Sequence, residues 1–248
     1  MPVPLLSVAL SRNFLPSVGG AEGKIRVVKL LLTRGADPNR RNGWGYTPLA
    51  CAISNCHADG TPRMVQVLLD AGADARVMGF DRGGSTSLVG CLLTTPGRAL
   101  IPEGGLVAGI PEGGTALIPE AARPFKNHLV VLKMLLRAGS SLDNCKVGGF
   151  QGPALHAESF MDDAERHVLY GSRIATDATW IAMKTIVAGV RREGSWKAYC
   201  RVEHKRLIRL RSYLVRGYAE TTDPRVDRIL RLPNGACWKV LAYWREAA

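Results

Sequence analysis

The chain has 248 residues, 46% of them hydrophobic and 22% charged, with a formal net charge of +12 at neutral pH. That length suits one elongated domain or two small ones, and the apolar share is ordinary for a packed protein. No apolar run reaches the ~20 residues of a helical membrane span, and six cysteines in so long a chain do not form a disulfide framework.

The opening stretch, MPVPLLSVALSRNFLPSVGG, has one Arg and no acid, a composition shared with cleaved targeting peptides. It lacks their basic first region, and VPLLSVALS at 3–11 reads as a short helix. VVKLLLTRGADPN at 27–39 follows. Val27, Val28, Leu30, Leu31 and Leu32 form a broad apolar face at helical spacing, leaving Lys29 and Arg34 to solvent. Gly35 supplies the left-handed residue that closes a helix, and Asp37, Pro38 and Asn39 turn the chain.

In GWGYTPLACAI, Thr47 is placed to cap a helix that starts with Pro48 and points Leu49, Ala52 and Ile53 one way. MVQVLLDAGADARV at 64–77 then repeats the earlier helix and stop, with Gly72 closing it. STSLVGCLL at 85–93 is a weaker first helix, and LVVLKMLLRAGSSLDN at 129–144 a third copy of the second, closed by Gly139. Between them, residues 94–127 carry IPEGG at 101, IPEGG at 110 and IPEAA at 118, a Pro/Gly-rich near-repeat expected to hold no helix. QGPALHAES at 151–159 and TWIAMKTIVAG, ending at Gly189, suggest a degenerate fourth pair.

These strings resemble the ankyrin repeat, a unit of about 33 residues built from a turn, a T-P-L-H-x-A helix, a loop and a V-V-x-L-L-L-x-x-G-A-D helix. Gly35 to Leu49 is 14 residues, the family's own step, while Gly72–Leu88 and Gly139–Leu155 are 16. From first-helix Leu to closing Gly the family has about 19 residues. Here the distances are 30 for Leu5–Gly35, 23 for Leu49–Gly72 and 51 for Leu88–Gly139. The excess falls in the loop between the helices of a pair, where insertion is tolerated.

The resemblance implies an all-α ankyrin-repeat solenoid of about four helix pairs over residues 1–189, with 94–127 as an inserted loop and a basic helical segment over 190–248. It also implies a non-catalytic protein-interaction scaffold that binds through its fingers and concave face. Finger one, NRRNGWGY, offers Arg40, Arg41, Trp44 and Tyr46; finger two, RVMGFDRGG, offers Met78, Phe80 and Arg82. Arg, Trp and Tyr are the residue types that dominate binding energy at interfaces. The charge favours an acidic partner or one bearing aromatic groups.

Residues 189–248 hold 14 Lys and Arg against 6 Asp and Glu, or +8 of the +12. SWKAYCRVEHKRLIRLRSYLVR at 195–216 reads as an amphipathic helix: Trp196, Tyr199, Leu207, Leu210 and Leu214 make one stripe, and Arg201, Lys205 and Arg209 another. Gly217 stops it, Thr222 or Asp223 caps the next helix at Pro224, and LPNGACWKVLAYW closes the chain with Trp238, Leu241 and Trp244.

Three roles suit this tail. It caps the open apolar end that every repeat stack has; it binds an anionic partner, nucleic acid or surface; or it is a second recruiting module. For the last, ILRLPNGACWKVLAYW is similar to the end of a suppressor-of-cytokine-signalling box, I-x-x-L-P-x(n)-L-x-Y, through Ile229, Leu232, Pro233, Leu241 and Tyr243. Cys200–Arg201 and Ile208–Arg209 resemble that box's C-R and I-R pairs, although the second L-P is missing and the segment before L-P is longer. That similarity implies a ubiquitin-ligase substrate adaptor recruiting through elongin.

No nucleotide-binding glycine loop, metalloprotease helix, nucleophile elbow or kinase signature is present. Cys56–His57 has no second pair at zinc-finger spacing, and Asp162–Asp163 reads as a solvated linker pair. His156 stands at the family's T-P-L-H histidine, which the resemblance makes structural; His57, His128, His167 and His204 read as surface residues. No catalytic residue, metal or cofactor is expected. Cys51, Cys91 and Cys145 fall at or beside helical repeat positions, suiting reduced structural thiols in a cytoplasmic or nuclear protein.

Overall fold

A computed structural model describes residues 5–10, 20–54, 56, 58–81, 84–100, 125, 127–145, 155–166, 174–218, 220–233, 235–237 and 239. The chain divides into two compact units, 1–188 and 189–248.

In the first unit the described helices are α1 (Leu5–Ala9), α2 (Gly20–Thr33), α3 (Pro48–Ile53), α4 (Thr61–Asp70), α5 (Leu88–Leu100), α6 (His128–Arg137), α7 (Ala157–Glu165) and the first part of α8 (Ala178–Glu193). They pair as α1 on α2, α3 on α4 and α5 on α6. Between pairs, α1 touches α3, α3 touches α5 and α5 touches α7, while α2 touches α4 and α4 touches α6. First helices thus form one row and second helices another, the stacking of a helical repeat in which each layer seals its neighbour. Leu49, Ile53, Leu68, Leu88, Leu92, Leu132 and Leu135 are all less than 2% exposed between the rows.

The second helices α2, α4 and α6 end by the same device. Gly35, Gly72 and Gly139 have φ of +83°, +88° and +87°. The glycine N–H donates to the carbonyl three residues back, Leu32 at 3.0 Å, Leu69 at 3.0 Å and Leu136 at 3.1 Å. The following N–H, of Ala36, Ala73 or Ser140, reaches five residues back to Leu31, Leu68 or Leu135 at 2.9–3.0 Å. These are Schellman closures, which satisfy carbonyls the helix leaves without partners. Two residues beyond each glycine, a side-chain oxygen turns the chain once more. Asp37 accepts from the Asn39 N–H at 2.8 Å, Asp74 from Arg76 at 2.9 Å and Ser141 from Asp143 at 3.0 Å.

Two of the first helices, α3 and α5, start on a hydroxyl. Thr47 accepts from the Ala50 N–H at 3.2 Å ahead of Pro48, and Ser87 accepts from the Gly90 N–H at 3.1 Å at the head of α5. Gly90 lies so close to the next finger that a Cβ there would sit 2.3 Å from Thr86 Oγ1 and 3.0 Å from the Cys145 Cα.

Several boundaries differ from the sequence reading. Strands β1 (Gly79–Asp81) and β2 (Gly84–Thr86) pair antiparallel in finger two, with Phe80 opposite Ser85, so α5 begins at Leu88. It runs on to Leu100, and residues 94–100 are helical despite Pro96; residues 101–124 lie outside the described residues. In α2 the buried stripe is Ile25 and Val28, one turn earlier than read, and Leu30 is 52% exposed. Leu155 does not open a helix. Its N–H and C=O pair with Cys145 at 2.9 and 2.8 Å, and α7 starts at Ala157. His128, expected at the surface, is fully buried edge-on to Phe125, with ring centroids 5.5 Å apart.

Gly189 is not the stop of the fourth pair. It lies inside α8, and the closing residue is Gly194, at φ +78°. α8 is nonetheless tied to α7. Trp180, fully buried, donates through Nε1 to Glu165 Oε1 at 3.0 Å, and Lys184 is gripped by Glu165 Oε2 at 2.8 Å and Asp162 at 2.7 Å. Those carboxylates raise the lysine pKa by hydrogen bonding to its charged form. Asp163 pairs separately with Arg166 at 3.2 Å.

The second unit holds the end of α8, then α9 (Trp196–Val215) and α10 (Pro224–Leu230). Ser195 caps α9 through Ala198 N–H at 3.2 Å, and Asp223 caps α10 through Arg225 N–H at 2.8 Å. Gly189 lacks a Cβ where one would lie 2.3 Å from the Tyr199 ring. Leu214 is buried on α9, Cys237 is buried, and Arg211 donates to the Leu232 carbonyl at 2.8 Å. Ile229 and Leu232 are half-buried and Pro233 exposed. The side chain of Leu207 and all of Trp238, Leu241, Tyr243 and Trp244 lie outside the described residues.

Two glycine substitutions separate packing from backbone strain. In Gly35→Ala the new methyl meets nothing within 4 Å, so only the left-handed cost of about 1–2 kcal/mol applies. Gly90→Ala drives a methyl into Thr86 and the Cys145 backbone, an overpacking cost of about 1–3 kcal/mol or more. Urea unfolding should place Gly90→Ala below Gly35→Ala in stability; the reverse order would mean α5 is not seated against Cys145.

Candidate interaction fingers

Finger one is built around Asn42. Its Oδ1 accepts from the N–H groups of Trp44 and Tyr46, each at 3.0 Å. Its own backbone N–H donates to the Tyr46 carbonyl at 2.9 Å, and its carbonyl accepts from Gly45 at 2.9 Å. Gly45, at φ +81°, makes the reversal that these bonds require. Five residues are thereby held in one turn, with Trp44 at its tip, 83% exposed.

Adjacent fingers are bonded to one another. Arg41 donates through Nη1 to the Gly45 carbonyl at 2.7 Å and through Nη2 to the Met78 carbonyl at 3.2 Å. Asn39 donates to the Gly72 carbonyl at 3.0 Å and accepts from the Asp74 N–H at 2.8 Å. Met78 Sδ in turn accepts from Asn144 Nδ2 at 3.6 Å. Asn144, at φ +60°, presents its carbonyl to Thr86 Oγ1 at 3.1 Å and to the Ser87 N–H at 3.0 Å. At the base of finger three, His156 Nδ1 meets Asp143 Oδ1 at 2.5 Å, both side chains being more than half exposed.

The seven residues singled out from the sequence therefore separate by role. Arg40 and Trp44 are exposed, and Arg40 makes no side-chain bond to another described residue. Arg41 is exposed but spans the seam between fingers, and Tyr46 and Met78 are half-buried. Phe80 is in β1 with its side chain outside the described residues, and Arg82 lies wholly outside them. Sequence reasoning read Asn39 as a turn former but not as a bond to the next finger, and it missed Asn42 and Asn144, which shape the fingers. The signal for Asn42 was present: an Asn before a Gly-rich turn is placed to bond the backbone two residues on.

All six cysteines are thiols. Burial pushes Cys56 from 9.0 up to about 12, and Cys51 and Cys145 up to about 11, Cys145 with a smaller opposing hydrogen bond to Ser87. At physiological pH they are in the neutral thiol form, the less reactive one. Among the described residues no group of three or more His, Cys, Asp or Glu is arranged to hold a metal ion, and no helix is long and apolar enough to cross a membrane.

The raised thiol values fix an alkaline limit. Unfolded thiols ionise above about pH 9 while the folded ones stay protonated. The stability they contribute is therefore complete below that pH and is lost as pH rises through 11 to 12. Melting temperature should fall across that window, and at neutral pH Cys56 and Cys145 should resist a thiol reagent until denaturant is added. Prompt labelling of Cys56 in the native protein would contradict its burial.

Residues 18–69 match the family model described as ankyrin repeats (many copies). No curated protein and no solved structure matches the chain. The matched segment holds α2, finger one, α3 and nearly all of α4. Ankyrin repeats are generally protein-interaction modules. Over residues 18–69 the chain is thus similar to ankyrin repeats, both in its sequence match and in its stacked helix pairs.

Proposed function

We propose that the chain is a non-catalytic scaffold that takes a protein partner on finger one, with Trp44 and Arg40 as the anchoring side chains. One observation carries this reading: a tryptophan 83% exposed on a turn whose backbone is already bonded in place. An exposed indole gains most when a partner desolvates it, and Trp and Arg are the types that dominate interface energy. A rigid turn also loses little entropy on docking. Arg40, cationic and exposed, favours an acidic group beside the pocket that receives Trp44. Arg41 positions the finger by holding the Gly45 and Met78 carbonyls. Six thiols suit a reducing compartment, cytosol or nucleus.

The test is Trp44→Ala combined with Arg40→Glu in the intact chain. Proteins captured by the wild type from its own cell are identified by mass spectrometry, and the most enriched is purified and titrated. The double variant should weaken binding about 100-fold or more, since hot-spot truncations each cost about 2 kcal/mol or more. Helical circular dichroism and melting temperature should stay unchanged. Equal affinity in wild type and variant would remove finger one from the interface.

A further inference from the structure

The second unit carries a surface that finger one does not explain. On α9, Arg201, Lys205 and Arg209, together with Arg216 at its C-cap, are all exposed, and none is ion-paired with a described acid. Residues four apart lie on one helix face, so these form a single cationic stripe with steps of about 6 Å between the first three and a length of about 22 Å. Like charges at i, i+4 destabilise a helix. This helix has two such pairs in succession, Arg201–Lys205 and Lys205–Arg209, and the unit as a whole has 14 basic residues against 6 acidic.

The stripe ends at two aromatic rings. Gly217, at φ +73°, closes α9, and the Tyr218 N–H donates to the Tyr213 carbonyl at 2.8 Å. The residues so joined in a Schellman closure usually pack against each other. Here Tyr213 is 53% exposed and Tyr218 76% exposed, so two accessible rings lie near the end of a cationic track.

We propose that α9 binds single-stranded nucleic acid, its sugar-phosphate backbone running along Arg201, Lys205, Arg209 and Arg216 and unpaired bases stacking on Tyr213 and Tyr218. A row of cations with exposed aromatic rings is what a single strand uses: phosphates follow the charge, and any base offers a face to stack. A duplex keeps its bases stacked on one another and gains nothing from the tyrosines. A bilayer suits the surface less well. A helix lying in a membrane needs one continuous apolar face, whereas the apolar side of α9 is turned inward at Leu214, 2% exposed. Its exposed apolar residues, Ile208 and Val215 on one side and Leu210 on the other, border the stripe instead. This surface is independent of the finger reading.

The experiment is fluorescence anisotropy of a labelled oligothymidylate of about 20 nucleotides against the intact chain at low salt, with a duplex of equal length beside it. Four phosphate contacts to a single strand give a log–log salt slope of about −3, so Kd should rise about 50-fold between 50 and 200 mM salt. Arg201→Gln, Lys205→Gln and Arg209→Gln together should reduce the slope to about −1 and leave helical circular dichroism intact. Tyr213→Ala with Tyr218→Ala should weaken binding about tenfold or more and erase the preference over duplex. The proposal is overturned by an absence of binding at low salt, by unchanged affinity in the triple Gln variant, or by equal affinity for duplex. Displacement of the oligonucleotide by phosphatidylserine vesicles or polyglutamate at lower charge concentration would also overturn it, assigning the stripe to a membrane or an acidic protein.

Discussion

A glycine in the left-handed conformation at the end of each second helix is the constraint on which the first unit depends. Without that residue the last carbonyls would face the next layer unsatisfied, and the chain would not reverse within reach of it. With it, the turn and the side-chain acceptor two residues on fall at fixed intervals after each glycine. Layers then meet with their leucines in register, so one short-range backbone choice, made at Gly35, Gly72 and Gly139, sets the long-range packing of α2 on α4 and α4 on α6.

Much of this was legible in the order of residues because the unit is local. LLLTRGADPN names its own helix, stop and turn, and TPLA names the cap and start that follow. What was not legible depended on distant partners. The burial of His128 comes from Phe125 and the packing around it, and the late start of α7 from the pairing of Leu155 with Cys145. Gly189 looked like a stop because a small residue at the end of an apolar stretch usually is one. Its actual use is steric, making room for the Tyr199 ring, which no periodicity encodes.

The fingers show the same division more sharply. Exposed Arg and Trp could be picked out by type, but the distinction between Arg40 and Arg41 could not. Both are exposed guanidinium groups one residue apart; one makes no side-chain bond within the described chain and the other joins two carbonyls. The difference lies in which carbonyls each side chain can reach, which residue type does not encode.

The seam between fingers one and two has a further consequence. Arg41 and Asn39 hold main-chain carbonyls and an amide of the neighbour. Mutation at a position such as 78 therefore leaves that grip in place, since every residue type carries the same carbonyl. The side chains on the outward face of one loop can thus be exchanged while its spacing from the next loop stays put.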